Sequence, residues 1–266
     1  NREPFGSTGG PGSVAGMADL QGVSRRAVLA ALGYIAIMAL GMFTTGHVFG
    51  IRYGDPKMVY VLVFFEVILS AYALLMARRL LGHWHCGFGP IDWRGILWLL
   101  PNFVVIAALF VMVLRTGTVE LSGLALLIVV TTILVGFSEE LMFRGIVLQG
   151  ALRETGTGRA ILISAAMFSL LHAVNVVAFG PLDGTVQQMV LTFVFGLAMA
   201  CYGLRLNSLV PVIIFHALWD MVQFLAGLYQ ADFGPWIMIG IVTNAVVAVA
   251  LWWLVLRKGP IVRTAR

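Results

Sequence analysis

The sequence predicts an all-α fold, a polytopic membrane helix bundle of about eight transmembrane helices with the N- and C-termini in the cytoplasm. Hydrophobic residues make up 60% of the 266 residues and charged residues only 11%, against roughly 45–50% and about 25% in soluble domains. The apolar residues form long continuous runs instead of alternating with polar ones, which indicates helices. No soluble fold of this length could bury so much apolar surface, so we expect lipid to cover it.

Eight apolar runs are long enough to cross a bilayer. The hydrocarbon layer is about 30 Å thick and a helix rises about 1.5 Å per residue, so a span needs roughly 20 residues. Backbone groups in lipid must bond internally, which favours helices. The predicted spans are 27–50, 58–76, 95–114, 121–137, 160–179, 186–204, 209–228 and 236–256, and the fourth run continues to residue 152.

The basic residues predict the orientation of the bundle. With a cytoplasmic N-terminus, 14 of the 17 Lys and Arg residues fall in inner segments, and only Arg52, Lys57 and Arg115 fall outside. This bias satisfies the positive-inside rule and explains the net charge of +5, so we expect no nucleic-acid partner. Short loops and basic cytoplasmic ends favour a prokaryotic inner (cytoplasmic) membrane.

The domain organisation is simple. Residues 1–16 are rich in Gly, Ser and Pro, and we expect a disordered tail or an expression remnant there, with Met17 as the native start. Residues 17–266 are predicted to form a single transmembrane domain, whose motif-bearing core is 121–228.

The first chemically informative motif contains two adjacent carboxylates after the fourth span. Glu140 and Arg144 are four residues apart, so they share one helix face and Arg144 can neutralise Glu140. Glu139 is rotated by about 100° on a helix and has no obvious local partner. It is a candidate general base, although the group could equally be a structural ion pair.

Two further motifs and one carboxylate interrupt the apolar runs, where ionisable groups mark function by default. His172 lies in the fifth span, and a lone histidine there often only bridges helices. His216 and Asp220 are four residues apart in the seventh span, a spacing typical of metal ligands, of an Asp that orients a His, or of a simple intrahelical bond. Glu66 in the second span is either a polar anchor between helices or part of a substrate path.

The ordered set Glu139-Glu140-x-x-x-Arg144, Phe168-x-x-x-His172 and His216-x-x-x-Asp220 resembles the signature of the CPBP family. This family, also called the ABI family, consists of intramembrane proteases and includes the type II CAAX prenyl endopeptidases. The Phe143-Arg144-Gly145 sequence that closes the first motif is also similar. The likeness covers about 121–228, under half of the chain, and the first three spans share none of it.

The resemblance implies an eight-helix bundle with a cavity that opens to the membrane, and it implies hydrolysis of a peptide bond. Glu139 and His172 would activate the attacking water, and Glu140 would pair with Arg144 to support the site. His216 and residue 220 would stabilise the oxyanion. The implied partner is a peptide or protein substrate at the lipid bilayer, either prenylated or transmembrane.

Position 220 departs from the family, because it is often Asn there and is Asp in this sequence. An ionised carboxylate would repel an oxyanion, so Asp220 must be protonated, orient His216 or bind a metal. Glu139, His172, His216 and Asp220 could together supply ligands for zinc or another divalent metal. Because the sequence has no two-histidine helix motif of the usual zinc-protease kind, we expect that no metal cofactor is required.

Two other functions use the same buried groups. A proton-coupled transporter would relay protons through them, but such carriers usually contain paired repeats with broken helices, which the sequence lacks. A non-catalytic immunity or scaffold member of the family would be expected to lose a motif residue, and the acidic pair and both histidines are present. The sequence therefore favours the protease.

Overall fold

The computed structural model describes residues 22–81 and 86–258 of the chain. Within these ranges the regular structure is helical, without strands, and one isolated antiparallel bridge joins Phe88 to Ser208. The predicted tail 1–16 and the proposed start at Met17 lie outside the described residues.

The described part of the chain contains nine α-helices, which we number in chain order. Their bounds are α1 Val23–Phe43, α2 Val59–Leu80, α3 Leu100–Leu114, α4 Gly123–Glu140, α5 Gln149–Leu152, α6 Thr157–Leu171, α7 Leu182–Leu206, α8 Val210–Tyr229 and α9 Trp236–Lys258.

Tighter and wider helical turns extend several of these helices. A π-helix, Leu141–Leu148, joins α4 to α5, so the chain from Gly123 to Leu152 is one continuous apolar segment. A second π-helical turn, Thr44–Val48, follows α1, and a 3₁₀-helix, His172–Ala178, follows α6. Short 3₁₀ turns, Pro56–Met58 and Gly95–Trp98, precede α2 and α3.

Seven helical segments of the described chain are long and apolar enough to cross a membrane. The prediction of a multi-pass membrane helix bundle is therefore confirmed. The third predicted span, 95–114, differs because a 3₁₀ turn occupies its start and α3 has only 15 residues. Pro101 lies in the first turn of α3, where its missing N–H costs nothing. At about 1.5 Å per residue, α3 is shorter than the roughly 30 Å hydrocarbon layer.

The helices turn apolar side chains outward and polar groups inward. On α2, Phe64 is 69% exposed, whereas Glu66 two residues later is completely buried. Lipid contact favours this arrangement because an ionisable group in hydrocarbon is costly. The buried polar groups of the bundle therefore face other helices and not the bilayer.

The close contact between α4 and α8 depends on Gly136. A Cβ atom at this position would lie 2.8 Å from the backbone nitrogen of Ala217 and 3.0 Å from the carbonyl oxygen of Ile213. The two helix backbones therefore touch at this point. Because Ala217 follows His216 and Gly136 lies one turn before Glu140, this contact brings the acidic motif of α4 to the histidine of α8.

We predict that Gly136→Ala destabilises the protein by about 1–3 kcal/mol, the usual cost of overpacking a tight contact. The added methyl group must push α4 away from α8, since the atoms that it meets include backbone. Thermal unfolding in detergent measures the change. Gly123→Ala is the matched control on α4, because nothing lies within 4 Å of its Cβ position. Equal stabilities of the two variants would contradict the role of Gly136.

Candidate active site

Glu140 links α4 to α8 and is completely buried. Its Oε1 atom accepts a hydrogen bond of 2.9 Å from Nη1 of Arg144 and another of 2.8 Å from Nδ1 of His216. Arg144 lies within the π-helix that begins directly after Glu140, and such wide turns are frequent at functional sites. The pairing of Glu140 with Arg144 that the spacing predicted is therefore present, and His216 is a further partner.

The ring of Phe168 occupies the space between the cationic and imidazole groups. The guanidinium carbon of Arg144 lies 4.1 Å from the centre of this ring, which is cation–π geometry. The rings of His172 and His216 meet Phe168 edge to face, at 5.0 and 5.8 Å between centroids. The Phe168 ring therefore packs against Arg144 and against both histidines.

Glu139 is also buried, but it lacks the strong partners of its neighbour. Its Oε2 atom makes no hydrogen bond and lies 3.8 Å from Nε2 of His216. Because Nδ1 of His216 donates to Glu140, the opposite ring nitrogen faces Glu139 and Asp220. Asp220 Oδ2 is 3.5 Å from the same Nε2 atom, and its side chain is 24% exposed.

His172 lies where α6 gives way to the following 3₁₀-helix. Its Nδ1 atom is 3.0 Å from the carbonyl oxygen of Phe168. Since a carbonyl can only accept, Nδ1 carries the proton, and Nε2 of the neutral ring is left as an acceptor. His172 shares a cavity wall with Glu139 and Asp220, but no hydrogen bond or ion pair joins it to them among the described side chains.

Glu66 reaches the site from α2, a helix outside the predicted motif-bearing core. Its Oε2 atom accepts a 2.9 Å hydrogen bond from the Ser138 hydroxyl, which also lies 2.7 Å from the hydroxyl of Tyr34 on α1. Glu66 also lines the same cavity as Glu139. These contacts are compatible with both roles predicted for Glu66, a polar anchor between helices and part of a substrate path.

The cavity around these groups has two adjoining lobes. The first, which we call the carboxylate lobe, has a volume of about 290 Å³ and contains Glu66, Glu139 and His172 in its wall. The second, the aromatic lobe, has a volume of about 160 Å³ and contains His216. The aromatic side chains of this second lobe are Phe168, Phe195, Phe215 and Trp219. The side chains shared by both lobes are His172, Gln188, Asp220 and Gln223.

Buried polar atoms without a hydrogen bond concentrate at this site. Glu66 Oε1, Glu139 Oε2, Glu140 Oε2 and two nitrogens of Arg144 lack partners, whereas only Ser70 and Thr185 do so elsewhere in the described chain. An unsatisfied buried polar group costs about 1–3 kcal/mol. The clustering therefore indicates a site whose free hydrogen-bond donors and acceptors can bind a ligand or water.

The described side chains form no preassembled metal site. No group of three or more His, Cys, Asp or Glu side chains in the described part of the chain is placed to hold one. Glu140 and a backbone carbonyl each bond Nδ1 of one histidine, His216 and His172 respectively, which leaves Nε2 of each ring as its available nitrogen. We therefore derive no step that passes through a metal.

No motif in the sequence marks Tyr34, Ser138 or Gln188 as members of the site. Ser138 precedes the acidic pair, but a serine in an apolar helix usually satisfies itself on its own backbone. Tyr34 and Gln188 lie in runs without any motif. The one available signal was Glu66, because a buried carboxylate on another helix requires a hydrogen-bond donor nearby.

The segment of the chain that contains most of these groups matches a known protein family. Residues 121–222 match the family described as Type II CAAX prenyl endopeptidase Rce1-like. The match covers under half of the chain, but it includes the acidic motif, His172, His216 and Asp220. It confirms the resemblance to CPBP intramembrane proteases that the motifs predicted. No curated protein and no solved structure matches the chain.

We predict that Arg144→Met destabilises the protein by about 3–5 kcal/mol, because it leaves the buried Glu140 carboxylate with His216 as its one remaining partner. The double variant Glu140→Gln/Arg144→Met recovers part of this loss, since it removes both charges. Thermal unfolding in detergent compares the two proteins. Arg159→Met is the control, because Arg159 is exposed. A double variant less stable than Arg144→Met would contradict the proposed pairing.

Proposed function

We propose that this protein is an intramembrane endopeptidase that hydrolyses a peptide bond of a membrane-associated substrate, either lipid-modified or transmembrane. The family match supports protease chemistry, and the helices support an integral multi-pass membrane protein. The observation that carries the proposal is the Glu139 carboxylate oxygen that makes no hydrogen bond, buried 3.8 Å from Nε2 of His216 in a cavity whose wall includes His172.

In the proposed reaction, Glu139 is the general base. Its free oxygen accepts a proton from a water molecule while the acceptor nitrogen of His172 orients that water. The water oxygen attacks the carbonyl carbon of the substrate and forms a tetrahedral intermediate. The C–N bond then breaks, and the proton held by Glu139 passes to the departing amine.

His216 stabilises the negative oxygen of the intermediate. The Glu140 carboxylate holds Nδ1, and in the protonated ring the Nε2–H group points towards the space between Glu139 and Asp220. A fixed donor in a water-poor cavity is an effective oxyanion partner. Asp220 favours this orientation of the ring, a role that suits a carboxylate better than direct contact with an oxyanion.

The substrate approaches from the membrane. The site lies between helices whose outer faces are apolar, so a peptide with a lipid anchor or an apolar segment would concentrate near the cavity. The short loops and the basic cytoplasmic ends support a prokaryotic inner membrane as the location. Prenylated peptides are the first class to test because the matched family is described by that activity.

We predict that the purified protein cleaves members of a panel of quenched fluorescent peptides, farnesylated and unmodified. Glu139→Gln lowers kcat/KM by about 10²–10⁴-fold, the usual contribution of a general base. Glu120→Gln is the matched control, because Glu120 is an exposed loop carboxylate. Unchanged cleavage by Glu139→Gln would refute the assignment of the base.

The same assay is repeated with protein that has been treated with a metal chelator. Because no metal-binding group is present among the described side chains, wild-type activity is expected to survive dialysis against a strong chelator. Loss of activity that added zinc restores would contradict the metal-free reaction. Failure of the wild-type protein to cleave any peptide in the panel would count against the protease and favour a transport or scaffold function.

A further inference from the structure

The boundary between the two lobes contains two glutamine side chains whose hydrogen bonding differs. Gln223 on α8 donates from Nε2 to the carbonyl oxygen of Trp219 in its own helix, at 3.3 Å. Gln188 on α7 uses its oxygen instead. Its Oε1 atom accepts hydrogen bonds of 2.8 Å from the Tyr53 hydroxyl and 2.8 Å from Nδ2 of Asn175.

These two bonds fix which way the Gln188 amide points. A carbonyl oxygen has two lone pairs, and two donors occupy both of them. The Nε2 group and its two N–H donors are left over, and no hydrogen bond from them forms within the described part of the chain. Because Gln188 lines both lobes, its side chain lies at their junction.

The partners of Gln188 are themselves anchored. The backbone N–H of Tyr53 donates to the carbonyl of Ala178 at 2.8 Å, and that of Gly180 donates to the carbonyl of Asn175 at 3.0 Å. The loop after α1 is thereby fastened to the 3₁₀-helix that starts at His172. Burial raises the pKa of the Tyr53 phenol to about 12, so this hydroxyl remains a donor at neutral pH.

We propose that Gln188 is a substrate-positioning residue, whose Nε2 group donates a hydrogen bond to a backbone carbonyl of the peptide at the junction of the two lobes. This inference rests on the proposed protease function. A peptide offers a carbonyl acceptor at every residue, and an amide donor in a partly buried site matches it without adding charge. Tyr53 and Asn175 then act through Gln188 by preventing rotation of its amide.

The test combines one enzyme variant with an altered substrate. Gln188→Glu keeps an oxygen for Tyr53 and Asn175 and has nearly the same shape, but it removes the donor. Gln187→Glu controls for the added negative charge, since Gln187 is exposed and lines neither lobe. The substrates are one cleavable peptide and a series in which each backbone carbonyl in turn is replaced by a thioamide, a weaker acceptor.

Wild-type enzyme is expected to lose about three- to tenfold in kcat/KM at one thioamide position, in keeping with the loss of one hydrogen bond. Gln188→Glu cleaves the unmodified peptide about tenfold less well, mainly through KM, and shows no further loss at that position. Tyr53→Phe shows a smaller loss at the same position, because the freed amide can rotate. Gln187→Glu behaves as the wild type.

Two results would overturn the inference. One is wild-type kinetics for Gln188→Glu in a protein that unfolds at the wild-type temperature. The other is a thioamide profile in Gln188→Glu that is identical to that of the wild type. Either result leaves the protease intact provided that Glu139→Gln is inactive. Absence of wild-type cleavage would instead remove both proposals together.

Discussion

Glu140 holds two cationic or proton-donating partners at once, and the geometry of the cavity depends on that double contact. The pair with Arg144 stays within one polypeptide segment, whereas the bond to His216 joins two helices that are far apart in sequence. Both side chains bonded to Glu140 are buried, so neither could remain there without the carboxylate. Glu139 has no comparable partner, so one of its carboxylate oxygens makes no hydrogen bond and is available in the cavity.

Most of the fold could be predicted from hydrophobicity alone, because lipid imposes one simple rule on every span. Six of the seven long spans begin and end within a few residues of the predicted ones, and the fourth predicted span, 121–137, extends to Leu152, where its apolar run ends. The third predicted span was the main exception, because the apolar residues of 95–114 do not reveal that a 3₁₀ turn precedes α3 or that Pro101 lies in the first turn of that helix. The π-helix after Glu140 was also beyond prediction, since its sequence is as apolar as an ordinary helix.

The motifs gave the residue types of the candidate site but not its full membership. Spacing along one helix predicted the pair of Glu140 and Arg144, because neighbours four residues apart share a face. The contact of Glu140 with His216 joins two helices, and no sequence pattern specifies which faces of separate helices meet. Gln188 and Tyr53 could not be predicted as members of the site for the same reason. The hydrogen bond that joins them links an interhelical loop to α7, and no sequence pattern specifies that contact.

The proposed roles of the two adjacent carboxylates, Glu139 as general base and Glu140 as structural support, can be tested without knowing the substrate. The measurement is thermal unfolding of Glu139→Gln and Glu140→Gln in detergent. Loss of charge at Glu140 weakens two hydrogen bonds and removes the nearest counter-charge of the buried Arg144, so Glu140→Gln should be less stable than the wild type by about 3–5 kcal/mol. Glu139→Gln should be as stable as the wild type or more stable, as is common when a functional group is removed. A destabilised Glu139→Gln beside an unaffected Glu140→Gln would contradict the assignment of the two roles.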